Sequence, residues 1–338
     1  MAYTTINKST DYFNTTLHTG NGSTQSITGV GFQPDLTWIK RRSADGWHWF
    51  TDAVRGTTKT IYSNATNAEE TNTNGLTAFG TDGFTVGSNA DINGNTQTHV
   101  AWNWKANGAG SANTDGALSS TVSANQTSGF SIVQATGTSS GATTIGHGLG
   151  VAPKVIIKKQ TSQTSNWSVY HASVGASQTG ELNLTNAFSA SGQWGSTTPT
   201  STVFTNNANS GVTAIYYCFA EKTGYSKFGS YTGNGSSSDG TFVYTGFKPA
   251  FLMIKPNAVE NWHIFDSARS PSNVTQKDLR PNLNNAESDS SSSAMDFLSN
   301  GFKFYNADAD YNDTGREYIY MAFGQSLVGS NNVPCTAR

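Results

Sequence analysis

Asp308, Asp310, Asp313 and Glu317 stand close together in "NADADYNDTGRE" (residues 306–317). A hard cation such as calcium takes several closely spaced oxygen ligands, so Asp308, Asp310 and Asp313 are the one metal-ligating candidate. The spacing is not that of a helix-flanked calcium loop. At the equivalent place, two earlier stretches read "NADINGN" (89–95) and "NNANSG" (206–211), where the carboxylates thin out. The acidic run therefore reads as a polar hairpin loop, with weak calcium binding as its chemical alternative.

Histidine beside aspartate is the material of acid–base catalysis. His48 lies near Asp52 and His263 near Asp266, while His171 occupies the aspartate place in the middle of the chain. His99 and His147 lie elsewhere. A constellation copied with its residues changing reads as a structural contact. Asp52/Arg55 and Asp266/Arg269 read as ion pairs bracing a turn, and His171/Val174 show that the pairing is dispensable. The acids are spread along the chain, and no facing pair suited to glycoside hydrolysis stands out.

"TGNGS" occurs at 19–23 and again at 232–236. A phosphate-cradling loop needs a following Lys-Ser/Thr and a helix, and neither follows. Asn-Gly supplies the positive-φ pair of a type I′ turn, so a hairpin turn is expected. No nucleophile elbow is present. Cys218, in "AIYYCFAE", reads as a buried small side chain, and Cys335 lies in the tail; neither a disulfide framework nor structural zinc is expected. The chain is read as non-enzymatic and without cofactor.

The elements that must position these residues recur. "GFQPDLTWIK", "GVAPKVIIKK" and "GFKPAFLMIK" each run from a proline (Pro34, Pro153, Pro249) to a lysine (Lys40, Lys159, Lys255) across an apolar strand. A tryptophan-bearing strand follows each: "GWHWFTDAVRG", "NWSVYHASVG" and "NWHIFDSARS". Then come "NATNA" (64–68), "NLTNA" (183–187) and "NLNNA" (282–286), a phenylalanine (Phe84, Phe204, Phe302), and a closing aromatic strand (Trp104, Phe219, Phe323). The fold class is all-β: three tandem antiparallel β-sandwich or jelly-roll-like repeats. The boundaries are an N-terminal anchor segment 1–15, repeats at 16–106, 126–224 and 225–328, a small polar linker at 107–125, and a tail at 329–338. The shared Trp and Phe positions are expected to be the core of each sandwich. Repeats two and three abut, so they are expected to pack more rigidly on one another.

Charged residues make up 12% of the chain and aromatics 12%, with a net charge of −2. That balance suits strands and turns. It gives no footprint for nucleic acid, and Lys40-Arg41-Arg42 reads as a solvated strand end. No run reaches the ~18 apolar residues of a membrane helix, and the opening "MAYTTINKSTDYFNTT" has no signal-peptide core.

"MAYTTINKSTDYFNTTL", "ITGVGFQPDLTWIKRR" and "DAVRG", with "EKTGYSKFGSYTGNGSSSDGTFVYTGFKPAFLMIK", "ARSPSNV" and "MDFLSNGFKF", resemble a repeated β-rich domain of tailed bacteriophages, mainly marine ones. The resemblance covers nearly the whole chain, and the middle repeat departs most, with "ATGTSSGATTIGHGLG" replacing the TGNGS stretch. It implies a structural protein of the virion surface: a head decoration, a head fibre or a short tail-attached fibre, assembled in the host bacterial cytoplasm. It also implies other virion proteins as partners and, by analogy with fibres, a homotrimer. The alternative from a different class is a carbohydrate-binding adhesin that recognises the host surface through exposed aromatic platforms.

Overall fold

The computed structural model describes residues 4–326 and is nearly all β. Its helical content among the described residues is the four-residue Ala90–Asn93 and two short 3-10 turns. One four-strand arrangement occurs three times. The N-terminal inner sheet orders Phe13–Thr19, Thr98–Trp104, Leu36–Arg41 and His48–Asp52; the middle one Phe130–Thr136, Thr213–Phe219, Val155–Gln160 and Ser168–His171; the C-terminal one Ser226–Thr232, Glu317–Gly324, Pro249–Pro256 and His263–Asp266. All the pairings are antiparallel, and Leu36↔Trp104, Val155↔Phe219 and Phe251↔Phe323 mark matching registers. Each inner sheet carries a smaller outer one, built around Ile27 and Phe84, Ile145 and Phe204, or Val243 and Phe302.

The proline-to-lysine strands are apolar on both faces because both faces are covered. Ile39, Ile156 and Leu252 point outward into three separate clusters, each shared with the outer sheet of the same segment. Leu36 and Trp38, Val155 and Ile157, and Phe251 and Met253 point the other way, into one cluster common to all three inner sheets. Two voids along this shared centre are about 10 Å3 each, at the lower limit for a single water. Half of the aromatic landmarks thus pack between segments rather than within them, and all three segments meet there.

Other expectations change as well. Residues 107–125, expected as a linker, contain strands Ser111–Asn113 and Ser120–Asn125, which extend the middle inner sheet. Leu118 and Val122 bury themselves there at 4% and 7% exposure and fix the polar run in place. The described part of the anchor segment is packed: Ile6 joins the common core, and Ser326 accepts the Thr10 backbone N–H. The tail 329–338, with Cys335, lies outside the described residues. Cys218 is buried, and burial pushes its thiol far up.

The TGNGS stretches are not type I′ hairpins. Phe13–Thr19 pairs with Thr98–Trp104, whereas Gln25–Thr28 pairs with Gly83–Val86, so the loop carries the chain from the inner to the outer sheet. Gly22 and Gly235 have positive φ, while Asn21 and Asn234 do not. The asparagines instead form Asx turns, Asn21 Oδ1 accepting Ser23 N–H at 2.8 Å and Asn234 Oδ1 accepting Ser236 N–H at 3.0 Å. A buried amide locks each loop: Asn93 against Asn21 and Gly87, Asn312 against Asn234 and Asn306. Backbone approaches so closely that a Cβ on Gly20 would lie 2.2 Å from the Gly94 carbonyl oxygen, and one on Gly233 2.3 Å from that of Asp313.

Candidate functional site

Residues singled out in the sequence come together at the junctions between the inner sheets. Arg55 Nε donates to Asp52 Oδ2 at 2.6 Å, and Arg269 Nε to Asp266 Oδ2 at 2.5 Å. The same carboxylates reach across a junction. The Tyr217 hydroxyl of the middle sheet donates to Asp52 Oδ2 at 2.8 Å, and Trp102 Nε1 of the N-terminal sheet to Asp266 Oδ2 at 3.0 Å. The strand registers put Met321 at the corresponding place of the C-terminal sheet. A thioether cannot donate. The middle sheet, which faces it, has neither aspartate nor arginine there but His171, whose Nε2–H donates to the Tyr320 carbonyl at 3.2 Å. Burial lowers His171 to about 4, which keeps it neutral.

A second set of contacts runs in the same rotational sense. Trp167 Nε1 donates to the Tyr62 carbonyl at 2.8 Å, and Trp262 Nε1 to that of Glu181 at 3.0 Å. His48 occupies the corresponding place against the backbone of Arg280, with its Nδ1 accepting Trp38 Nε1–H at 3.0 Å. Burial, with the Lys40 charge nearby, holds His48 well below its ordinary value. Backbone bonds Gly46 N→Asn284 O, Ser165 N→Thr66 O and Glu260 N→Thr185 O close all three junctions alike. The lysines end the common core: Lys40 Nζ donates to Gly46 O and Asn284 O, Lys159 to Gln160 O and Ser165 Oγ, Lys255 to Pro256 O and Ala258 O. Burial lowers each to about 8.

The acidic run does not gather into a metal site. Asp310 Oδ2 lies 3.4 Å from His263 Nε2, and Asp313 Oδ2 lies 3.0 Å from Arg316. Asp308 Oδ1 accepts the Asp310 backbone N–H. Protein cations already hold two of the three carboxylates, and no group of three or more His, Cys, Asp or Glu able to hold a metal occurs among the described residues. His263 is enclosed. Its Nδ1 lies 3.0 Å from Asp278 Oδ2, and the Tyr311 hydroxyl packs against it. Burial opposes its charge, but Asp278 and Asp310 outweigh burial and raise it to about 9.

One open feature escaped the sequence reading. Trp47, grouped with the core tryptophans, is 40% exposed. It stands in a cleft of about 420 Å3 with Arg41, Asp45, Asn64, Asp91 and Asn284. The registers make it the counterpart of Asn166 and Asn261 in the other two segments, and those residues accept the amides of Asn183 and Asn282 at 2.9 and 2.8 Å. A tryptophan where its counterparts are asparagines was the available signal.

Fold and junctions together define an all-β protein whose three inner sheets share one core. The family signature that matches the chain, over residues 8–326, is that of a domain of unknown function, DUF7483, and the chain belongs to that family. None of the curated proteins and none of the solved structures matches it.

Proposed function

We propose that this chain is a non-enzymatic structural protein of a bacteriophage virion surface, a head decoration, head fibre or short tail-attached fibre, built from three tandem β-sandwich repeats closed into a quasi-threefold ring. The observation that carries the proposal is the cyclic set of junction contacts. Asp52–Tyr217, Asp266–Trp102 and His171–Tyr320 link each segment to the next in one rotational sense. Symmetric assemblies close rings with contacts of this head-to-tail kind, and here one chain supplies all of them. Landmark residues bury into the centre and the junctions, which is how a rigid display body uses them. The chain is rich in Ser, Thr and Asn, whose hydroxyls and amides hydrogen-bond water without adding charge. Its partners are other virion proteins, and a homotrimer would add an outer symmetry to a body already closed.

Immunogold labelling of purified virions tests this reading. Gold on the head or at the tail attachment is the expected result. Antigen present in infected-cell lysate but absent from purified particles overturns it.

A further inference from the structure

We propose that the Trp47 cleft is a binding site for an uncharged saccharide, with the indole as its platform and the amides of Asn64 and Asn284 as hydroxyl readers. The inference goes beyond the structural role and does not depend on where the protein sits on a particle.

Three observations carry it. First, Trp47 interrupts a pattern that the other two segments keep. In those, an asparagine before the core tryptophan accepts the amide of the asparagine that caps the strand: Asn166 with Asn183, Asn261 with Asn282. Asn64 keeps the capping role, its Oδ1 accepting His48 N–H at 3.0 Å. Trp47 offers no acceptor in place of the missing asparagine, so Asn64 Nδ2 makes no hydrogen bond to the described chain. A donor that is satisfied twice elsewhere is here left at the wall of a cleft beside an aromatic ring.

Second, the platform is held before any ligand arrives. The Trp47 ring packs on Tyr62 at 4.9 Å between centroids. The Tyr62 hydroxyl is in turn tied to Glu70 at 3.0 Å. Gly46, next to Trp47, is fixed from both sides: its N–H donates to Asn284 O at 2.8 Å and its carbonyl accepts Lys40 Nζ at 2.9 Å. Asp45 Oδ1 accepts Ala286 N–H at 3.0 Å. An exposed tryptophan whose backbone and ring are both restrained loses little entropy on binding.

Third, the composition selects the ligand. A pyranose has an apolar C–H face and a rim of hydroxyls; it needs one aromatic face and several short polar side chains that both donate and accept. Around Trp47, Asn64 and Asn284 carry amides that donate and accept, and Asp45 adds an acceptor. Arg41 is turned inward, with Nη1 donating to Ala90 O and Nη2 paired with Asp91 at 3.4 Å. With Arg41 so paired, the Lys40 ammonium engaged by the Gly46 and Asn284 carbonyls and Asp45 at the rim, the cleft disfavours phosphate, sulfate and acidic sugars. A volume of about 420 Å3 falls in the usual range of small-ligand sites and suits one or two sugar rings.

The test applies the purified full chain to an array carrying neutral oligosaccharides, N-acetylated oligosaccharides, acidic oligosaccharides and isolated bacterial envelope polysaccharides. Hits are followed by titration with the free oligosaccharide. The expected result is binding to at least one neutral or N-acetylated ligand, weakened about tenfold or more by Trp47→Ala and largely kept by Trp47→Phe. Losing a stacked aromatic of this kind costs about one factor of ten. Tyr244→Ala, on the outer sheet of the C-terminal segment, is expected to leave binding unchanged. Circular dichroism of Trp47→Ala checks folding, which an exposed side chain should not disturb. No binding by the wild-type chain on any arm, preference for the acidic arm, or equal binding by wild type and Trp47→Ala each overturns the proposal. A hit confined to envelope polysaccharides identifies the source as a cell surface; a hit on the short oligosaccharides identifies the sugar unit itself. Either one, with Trp47 dependence, supports the site.

Discussion

Replacing Arg269 with methionine tests the junction argument most directly. Arg269 is 2% exposed and holds three acceptors: Asp266 Oδ2 at 2.5 Å, the Ile264 carbonyl at 2.8 Å and Glu287 Oε2 at 3.1 Å. Methionine fills similar space but donates nothing. Glu287 retains the two bonds from Arg42, at 2.9 and 2.8 Å. Asp266 retains the Trp102 indole and a backbone N–H, yet it becomes a buried carboxylate with no countercharge. Removing one partner of a buried ion pair costs about 3–5 kcal/mol. Unfolding entropy of about 2.1 cal/mol/K per residue, over 338 residues, gives roughly 0.7 kcal/mol/K. A loss of ~4 kcal/mol therefore lowers Tm by about 6 °C, read by near-ultraviolet circular dichroism during a reversible melt. An R269M shift below about 1 °C would show that the junction carboxylates do not carry the contact.

Two further predictions concern the C-terminal segment. Since His263 is raised from its ordinary 6.5 to about 9, its contribution is fully present below pH 6.5 and is lost as pH rises through about 9. The stability advantage of wild type over His263→Gln, on the order of 3 kcal/mol at pH 6, should therefore shrink toward zero by pH 10 in urea titrations; a constant or growing difference refutes the ion-pair assignment. Asn312→Ala removes the amide that locks residues 234–236, and loss of a buried hydrogen-bonding group costs about 1–3 kcal/mol; amide exchange of Gly235 and Ser236 should accelerate tenfold or more, and unchanged exchange would mean that the Asx turn holds the loop alone.

Much of the fold was legible because strands announce themselves locally. The proline-to-lysine strands read as apolar, and the turn residues between them were visible in composition alone. The ion pairs Asp52/Arg55 and Asp266/Arg269 were legible because three-residue spacing in a turn leaves the two side chains little choice of partner. Residues 107–125 were misread because Ser, Thr, Ala and Asn without long apolar runs look like a spacer. Leu118 and Val122 suffice to make it sheet once a neighbouring strand offers an edge. TGNGS was misread because Asn-Gly fits both a type I′ turn and an Asx turn, and the choice lay with Asn93 and Asn312, 72 and 78 residues further along the chain.

The sequence by itself determined the strand content, the threefold recurrence of its landmarks and the local ion pairs, since all of these follow from side-chain type and short-range spacing. Tertiary structure alone decided which face of each strand looks to its own outer sheet and which to the common centre, because a strand apolar on both faces carries no preference. It also decided the fate of the tryptophans. Trp167 and Trp262 are buried with their indole N–H groups on a neighbouring segment. Trp47, one position before the matching strand residue His48, is turned outward beside the Asn64 amide, which has no partner among the described residues. That single offset in register separates a residue of the core from the platform of a cleft.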